Sequence, residues 1–99
     1  MSRPQLLSPE LIVEHCKDVP LWTIVEQSIV REIALQNFVA VIGLVNAIAI
    51  QAEVIEHHPD LHIFGWNKLR IILSTHDKGG LTELDFALAK KIDTFVLNS

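Results

Sequence analysis

Hydrophobic and polar positions along the chain change their period four times, and each change marks an element boundary. Ser8 followed by Pro9 is an N-cap with proline at the first helical position, which predicts a short helix over 9–16, ended by Asp18-Val19-Pro20. Residues 22–26 then alternate, with Trp22, Ile24 and Glu26 on one side and Thr23 and Val25 on the other. Residues 29–35 alternate in part, with Ile29, Arg31, Ile33 and Leu35 sharing a side. The few polar residues around Gln27-Ser28 join the two runs into a predicted β-hairpin, although the turn lacks an Asn-Gly pair.

Asn37 is placed to cap the next element. Phe38, Val41, Val45, Ile48, Ala52 and Ile55 recur at spacings of three and four, which predicts a long helix. Its other side, with Val39, Ile42, Leu44, Ala47 and Ile50, is apolar as well, so it calls for a sheet on one flank and a partner subunit on the other. Pro59 is expected to stop this helix just after His57-His58. Residues 61–66 and 69–75 predict a second hairpin broken at Asn67-Lys68, and Gly79-Gly80 marks a loop. Thr82 with Asp85 forms a capping box for a last helix over 83–93, whose stripe is Leu81, Leu84, Leu88, Ile92 and Phe95. The order α-β-β-α-β-β-α gives an α+β fold: a four-stranded antiparallel sheet with three helices packed on one face. Periodicity does not reveal the order of the strands across the two hairpins.

Composition narrows the possibilities. The chain has 99 residues, enough for one domain spanning 1–99, and at 49% hydrophobic it can build a core. So small a domain buries a modest fraction of its surface, which makes oligomerisation useful. A formal net charge of −4 offers no basic field for nucleic acid and no cationic face for a membrane. Residues 33–52 carry no charge, but Gln36, Asn37, Asn46 and Gln51 interrupt the run, so a buried helix is expected rather than a membrane span. Cys16 is the single cysteine, so no intrachain disulfide can form. The opening Met1-Ser2-Arg3-Pro4 lacks the apolar run of a signal peptide, and a cytoplasmic location is expected.

The chemistry lies with the histidines. His57 and His58 fall at the end of the long helix, and His76 at the end of the last strand. Histidine titrates near neutral pH, so a cluster can donate one proton and accept another in a single turnover. Glu53, one helical turn before His57, can orient an imidazole or receive a ligand N–H group. The adjacent pair diverges on a helix and no His-x-x-x-His pair is present, so no metal site is expected. Taken singly, His-His-Pro reads as a helix stop and Ser74-Thr75-His76 as a strand running into a loop. His15 is expected to be a solvated helix residue, His62 a surface strand residue, and Trp22 core or pocket wall. Lys90-Lys91 reads as favourable charge at a helix end, and Asp85 as a helix cap.

The spacing as a whole says more than its parts. Glu53 is followed after three residues by His57-His58-Pro59, then after six by Trp66, after nine by His76 and after eight by Asp85. This resembles the pterin-4a-carbinolamine dehydratase signature, and the flanking Gln51-Ala52-Glu53, Leu73-Ser74-Thr75-His76 and Gly80-Leu81-Thr82 agree with it. The likeness extends over residues 22–92. Leu61 stands where the family often has an aromatic residue, and Ile33 and Leu35 where its strands are often rich in phenylalanine. The resemblance implies loss of water from a 4a-hydroxytetrahydropterin to give quinonoid dihydropterin, within tetrahydrobiopterin recycling. In it, His57, His58 and His76 surround the ring and share the acid and base roles. It further implies that Glu53, Ser74 and Thr75 contact the polar edge of the pterin and that Pro59 shapes the pocket wall. No metal and no bound cofactor are implied, and the assembly is a homodimer or homotetramer. The pathway partner implied is an aromatic amino acid hydroxylase. Some family members instead act as a dimerisation cofactor for a homeodomain transcription factor, and some bacterial relatives are linked to molybdopterin metabolism or gene regulation.

Overall fold

The computed structural model describes residues 4–97. The opening residues Met1-Ser2-Arg3, which bear on the signal-peptide expectation, lie outside that range. Three helices and four strands follow in the expected order: α1 (Pro9–Cys16), β1 (Thr23–Val25), β2 (Ser28–Ala34), α2 (Phe38–Ile55), β3 (Asp60–Phe64), β4 (Lys68–Leu73) and α3 (Glu83–Leu97). A single 3₁₀ turn, His76–Lys78, lies between β4 and α3. The strands form one antiparallel sheet in the order β1-β2-β4-β3.

The two longer strands take the centre. β2 and β4 pair so that Ile29 lies opposite Leu73, Arg31 opposite Ile71 and Ile33 opposite Leu69. Opposed residues share a face, and these six point toward the helices. Glu32 opposite Arg70 and Ala34 opposite Lys68 mark the other, more polar face. The core joins Ile29, Ile33, Leu69, Ile71 and Leu73 of the first set to Val41, Leu44 and Ile48 of α2 and to Phe86, Leu88, Ala89 and Ile92 of α3. Each fully buried Leu, Ile or Phe contributes about 1.5–3 kcal/mol relative to an exposed one.

Several boundaries differ from the sequence expectation, each for a local reason. β1 starts one residue late because Trp22 turns its ring into the core and donates its indole N–H to Asp93 Oδ1 at 2.8 Å. β3 ends at Phe64, not at residue 66: Gly65 and Trp66 both adopt positive φ, 54° and 56°, and form the turn. Trp66 is therefore an exposed turn residue. α3 runs on to Leu97, so Lys90 and Lys91 are not in its last turn. They pair instead with Asp18, at 3.4 Å, and with the Phe95 ring. His15 is half-buried, stacked on Phe86 with ring centroids 5.1 Å apart, and is not the solvated residue expected.

α2 is long and apolar enough to cross a membrane by length and composition alone. Here Val41, Leu44, Ile48 and Ala52 form its buried stripe, while Val39, Ile50 and Val54 remain exposed on the opposite side. Leu44 joins the expected stripe, and Phe38 in the first turn stays out of it. The Asn37 side chain accepts from the Ala40 N–H at 2.8 Å and so caps the helix. Asn37→Ala is expected to cost about 1 kcal/mol of stability, read by urea unfolding.

Candidate active site

The way α2 ends decides where its histidines point. The last helical residue is Ile55, and Glu56 turns left-handed at φ 53°, ψ 44°. The Glu56 N–H bonds the Glu53 carbonyl and the His57 N–H bonds the Ala52 carbonyl. This pair of reversed bonds is a Schellman motif. The two histidines thus lie in the exit turn and not on the helix, which closes ahead of Pro59. Neighbours in sequence, they part completely: His57 is 5% exposed, whereas the His58 side chain is 62% exposed. A left-handed residue with a side chain costs about 1–2 kcal/mol. Glu56→Gly is therefore expected to raise stability by about 1 kcal/mol in urea unfolding, against an added loop entropy of a few tenths.

Burial of His57 brings it to Asp85. Its Nε2 lies 2.6 Å from Asp85 Oδ1. Asp85 is wholly buried in the first turn of α3, and its other oxygen, Oδ2, accepts from the Thr75 hydroxyl at 2.8 Å and from the Thr82 N–H at 2.9 Å. The Thr75 and Thr82 hydroxyls are 2.8 Å apart, and Thr82 Oγ1 accepts from the Leu84 N–H at 3.2 Å. A buried carboxylate is tolerated only where donors replace its water, and this one is ringed by them. The helix cap expected at Asp85 is present, and the same carboxylate also reaches the histidine, a link the capping pattern did not disclose.

The remaining candidates fall into two groups. His58, His76 and Ser74 line a cleft of about 160 Å³ together with His57, Glu56 and Asp77. The loops leaving α2 and β4 therefore bring all three histidines to one opening. His76, the first residue of the 3₁₀ turn, is exposed. His58 Nε2 is hydrogen-bonded to Glu53, the last-turn carboxylate of α2. The Ser74 hydroxyl donates to the Gln27 carbonyl at 2.9 Å, which ties the cleft floor to the first hairpin turn. Thr75 is fully buried behind His57 on Asp85, and half-buried Pro59 leads into β3; neither is among the residues lining the cleft. Glu56 and Asp77 are lining residues that no motif had marked.

Two wider clefts, each about 270 Å³, lie elsewhere, and their charges are already spent. Arg70 in one is paired with Glu32 at 2.9 Å, and Arg31 in the other with Asp93 at 2.5 Å. Trp22 also donates to Asp93, so it braces that second cluster and not the histidine cleft. Among the described residues, no group of three or more His, Cys, Asp or Glu side chains is placed to hold a metal ion. Burial pushes the Cys16 thiol above its ordinary pKa, which keeps it protonated and poorly nucleophilic.

The family model for pterin 4 alpha carbinolamine dehydratase matches residues 5–95. The chain belongs to the pterin 4 alpha carbinolamine dehydratase family. A Chloroflexus aggregans protein provisionally named as such a dehydratase is 49% identical over 88 residues, covering 88% of this chain and 93% of its own length. Among solved structures, a transcriptional coactivator/pterin dehydratase from Brucella melitensis superposes with a TM-score of 0.86 at 27% identity, covering 91% of this chain and 97% of that one. A pterin dehydratase-like protein described as a RuBisCO assembly factor in the alpha-carboxysome shares the fold at a TM-score of 0.60 and 20% identity, over 74% of this chain and 83% of that one. The family fold thus carries more than one role, and membership alone does not select among them.

Proposed function

We propose that this pterin dehydratase family member eliminates water from a 4a-hydroxytetrahydropterin by histidine acid–base catalysis. The supporting observation is that three imidazoles, carried by two separate loops, line one cleft and that two of them have carboxylate partners. In the reaction the C4a–O bond breaks, the leaving hydroxyl takes a proton and departs as water, and N5 loses its proton as the C4a=N5 bond forms. Both proton transfers suit imidazoles among His57, His58 and His76. Glu53 acts in this scheme by holding His58, and Ser74 by shaping the floor of the cleft. Pterin recycling beside an aromatic amino acid hydroxylase, in the cytoplasm, is the setting that fits this chemistry.

A protein-binding role is the second reading, and one observation favours it. The outer side of α2 leaves Val39, Ile50 and Val54 about 68–77% exposed, an apolar face that suits further copies in a homodimer or homotetramer. That face is separate from the cleft, so the two readings are compatible. Titration with a 7,8-dihydropterin, followed by histidine side-chain NMR, tests the pterin site. Shifts at His57, His58 and His76 with His15 and His62 unmoved are expected. Binding that leaves the cleft histidines unmoved, or no binding at all, contradicts the proposal.

A further inference from the structure

We infer that Asp85, held by Thr75 and Thr82, is a positioning residue that fixes neutral His57 as the Nε2–H tautomer and so leaves Nδ1 as the proton-accepting atom in the cleft. The inference rests on the dehydratase reading only for what Nδ1 then does, namely take the N5 proton.

The direction of every hydrogen bond around Asp85 can be worked out. The Thr75 hydroxyl spends its proton on Asp85 Oδ2, so between the two threonines the Thr82 hydroxyl must donate and Thr75 must accept. The Leu84 N–H donates to Thr82 Oγ1, which leaves Thr82 its own proton for that bond. Oδ2 thus receives two donors, Thr75 Oγ1–H and the Thr82 N–H. Oδ1 faces His57 Nε2 at 2.6 Å, and a carboxylate oxygen accepts, so Nε2 is the donor there. Neutral imidazole has one N–H, so placing it on Nε2 leaves the lone pair on Nδ1. Among the described residues Nδ1 makes no hydrogen bond, and His57 lines the cleft with its remaining exposure. The other two cleft histidines lack this constraint: exposed His58 has an exposed carboxylate partner, and among the described residues no hydrogen bond holds the His76 ring.

The same network sets the outcome of an isosteric substitution. In Asp85→Asn the two donors onto Oδ2 hold the amide oxygen at that position. The amide NH₂ then occupies the Oδ1 position and faces Nε2 donor to donor. His57 relieves the clash by moving its proton to Nδ1, and the accepting atom in the cleft becomes a donor. A purely structural role for Asp85, as cap of α3, would change stability without changing the tautomer.

The experiment is long-range ¹H–¹⁵N NMR of the histidine rings in the full chain at mildly alkaline pH, for wild type and Asp85→Asn, with steady-state kinetics on both. The expected result is the Nε2–H tautomer at His57 in wild type and Nδ1–H in the variant. The variant's kcat is expected to fall about 10²–10⁴-fold while KM changes little. The Nδ1–H tautomer in wild type overturns the inference, and that spectrum decides even if the variant fails to fold. A tautomer that does not switch in a folded variant overturns it too. A switch that leaves kcat within a few-fold overturns the base role of Nδ1. A wild type with the Nε2–H tautomer and no turnover defeats the dehydratase reading while upholding the positioning.

Discussion

His57→Ala is expected to slow dehydration of a 4a-hydroxytetrahydropterin by about 10²–10⁴-fold, the usual worth of one general acid or base. The expectation follows from burial and partnership together. His57 is the one cleft imidazole held by a buried carboxylate, and its 5% exposure admits few alternative ring orientations. His62→Ala serves as the control. That residue lies on the edge strand β3, exposed and outside the cleft, and its removal should leave the rate unchanged. Steady-state rates on folded protein, verified by circular dichroism, provide the check. Equal rates for His57→Ala and wild type would remove His57 from the chemistry.

The largest expected effect on stability belongs to Asp85→Ala, at about 3–5 kcal/mol in urea unfolding. Alanine would strand the Thr75 hydroxyl, the Thr82 N–H and the His57 ring nitrogen in a site with no exposure. Each buried donor left without an acceptor costs about 1–3 kcal/mol. The bond to the Thr82 N–H is the Asp85 half of the α3 capping box; the other half, from the Leu84 N–H to Thr82 Oγ1, remains. Among the described residues no buried side-chain nitrogen or oxygen lacks a partner, so nearby groups are already committed and cannot fill in. A loss below about 1 kcal/mol would mean that water or a shifted side chain replaces the carboxylate, and that the network contributes little to the fold.

The elements of this fold were legible because their signals are local. Ser8-Pro9 and Asn37 cap the helices they were expected to cap, and the hairpins follow from alternation in β2 and β4. Strand order was not legible, because pairing β2 with β4 brings together residues some forty apart, such as Ile29 and Leu73. Alternation is the same whichever neighbour a strand takes. The three histidines and Glu53 could be singled out by spacing, yet the split between buried His57 and exposed His58 depends on a left-handed turn at Glu56. A glutamate at that position carries none of the usual glycine signal. Asp85 was visible as a cap, and the Thr82-x-x-Asp85 pattern accounts for its bond from the Thr82 N–H. Its link to His57 spans 28 residues and arises only when α3 packs beside the exit of α2. Thr75 shows the reverse: a residue marked by its place in a motif supports the site from behind.

The measurement that bears most directly on the proposed function is the rate of water loss from a 4a-hydroxytetrahydropterin, generated in place by an aromatic amino acid hydroxylase, with and without this protein. A rate that rises above the spontaneous one in proportion to protein concentration is the expected result. A rate indistinguishable from the spontaneous one, with the histidine cleft intact, would contradict the dehydratase assignment and move the weight to a protein-binding role for the same fold.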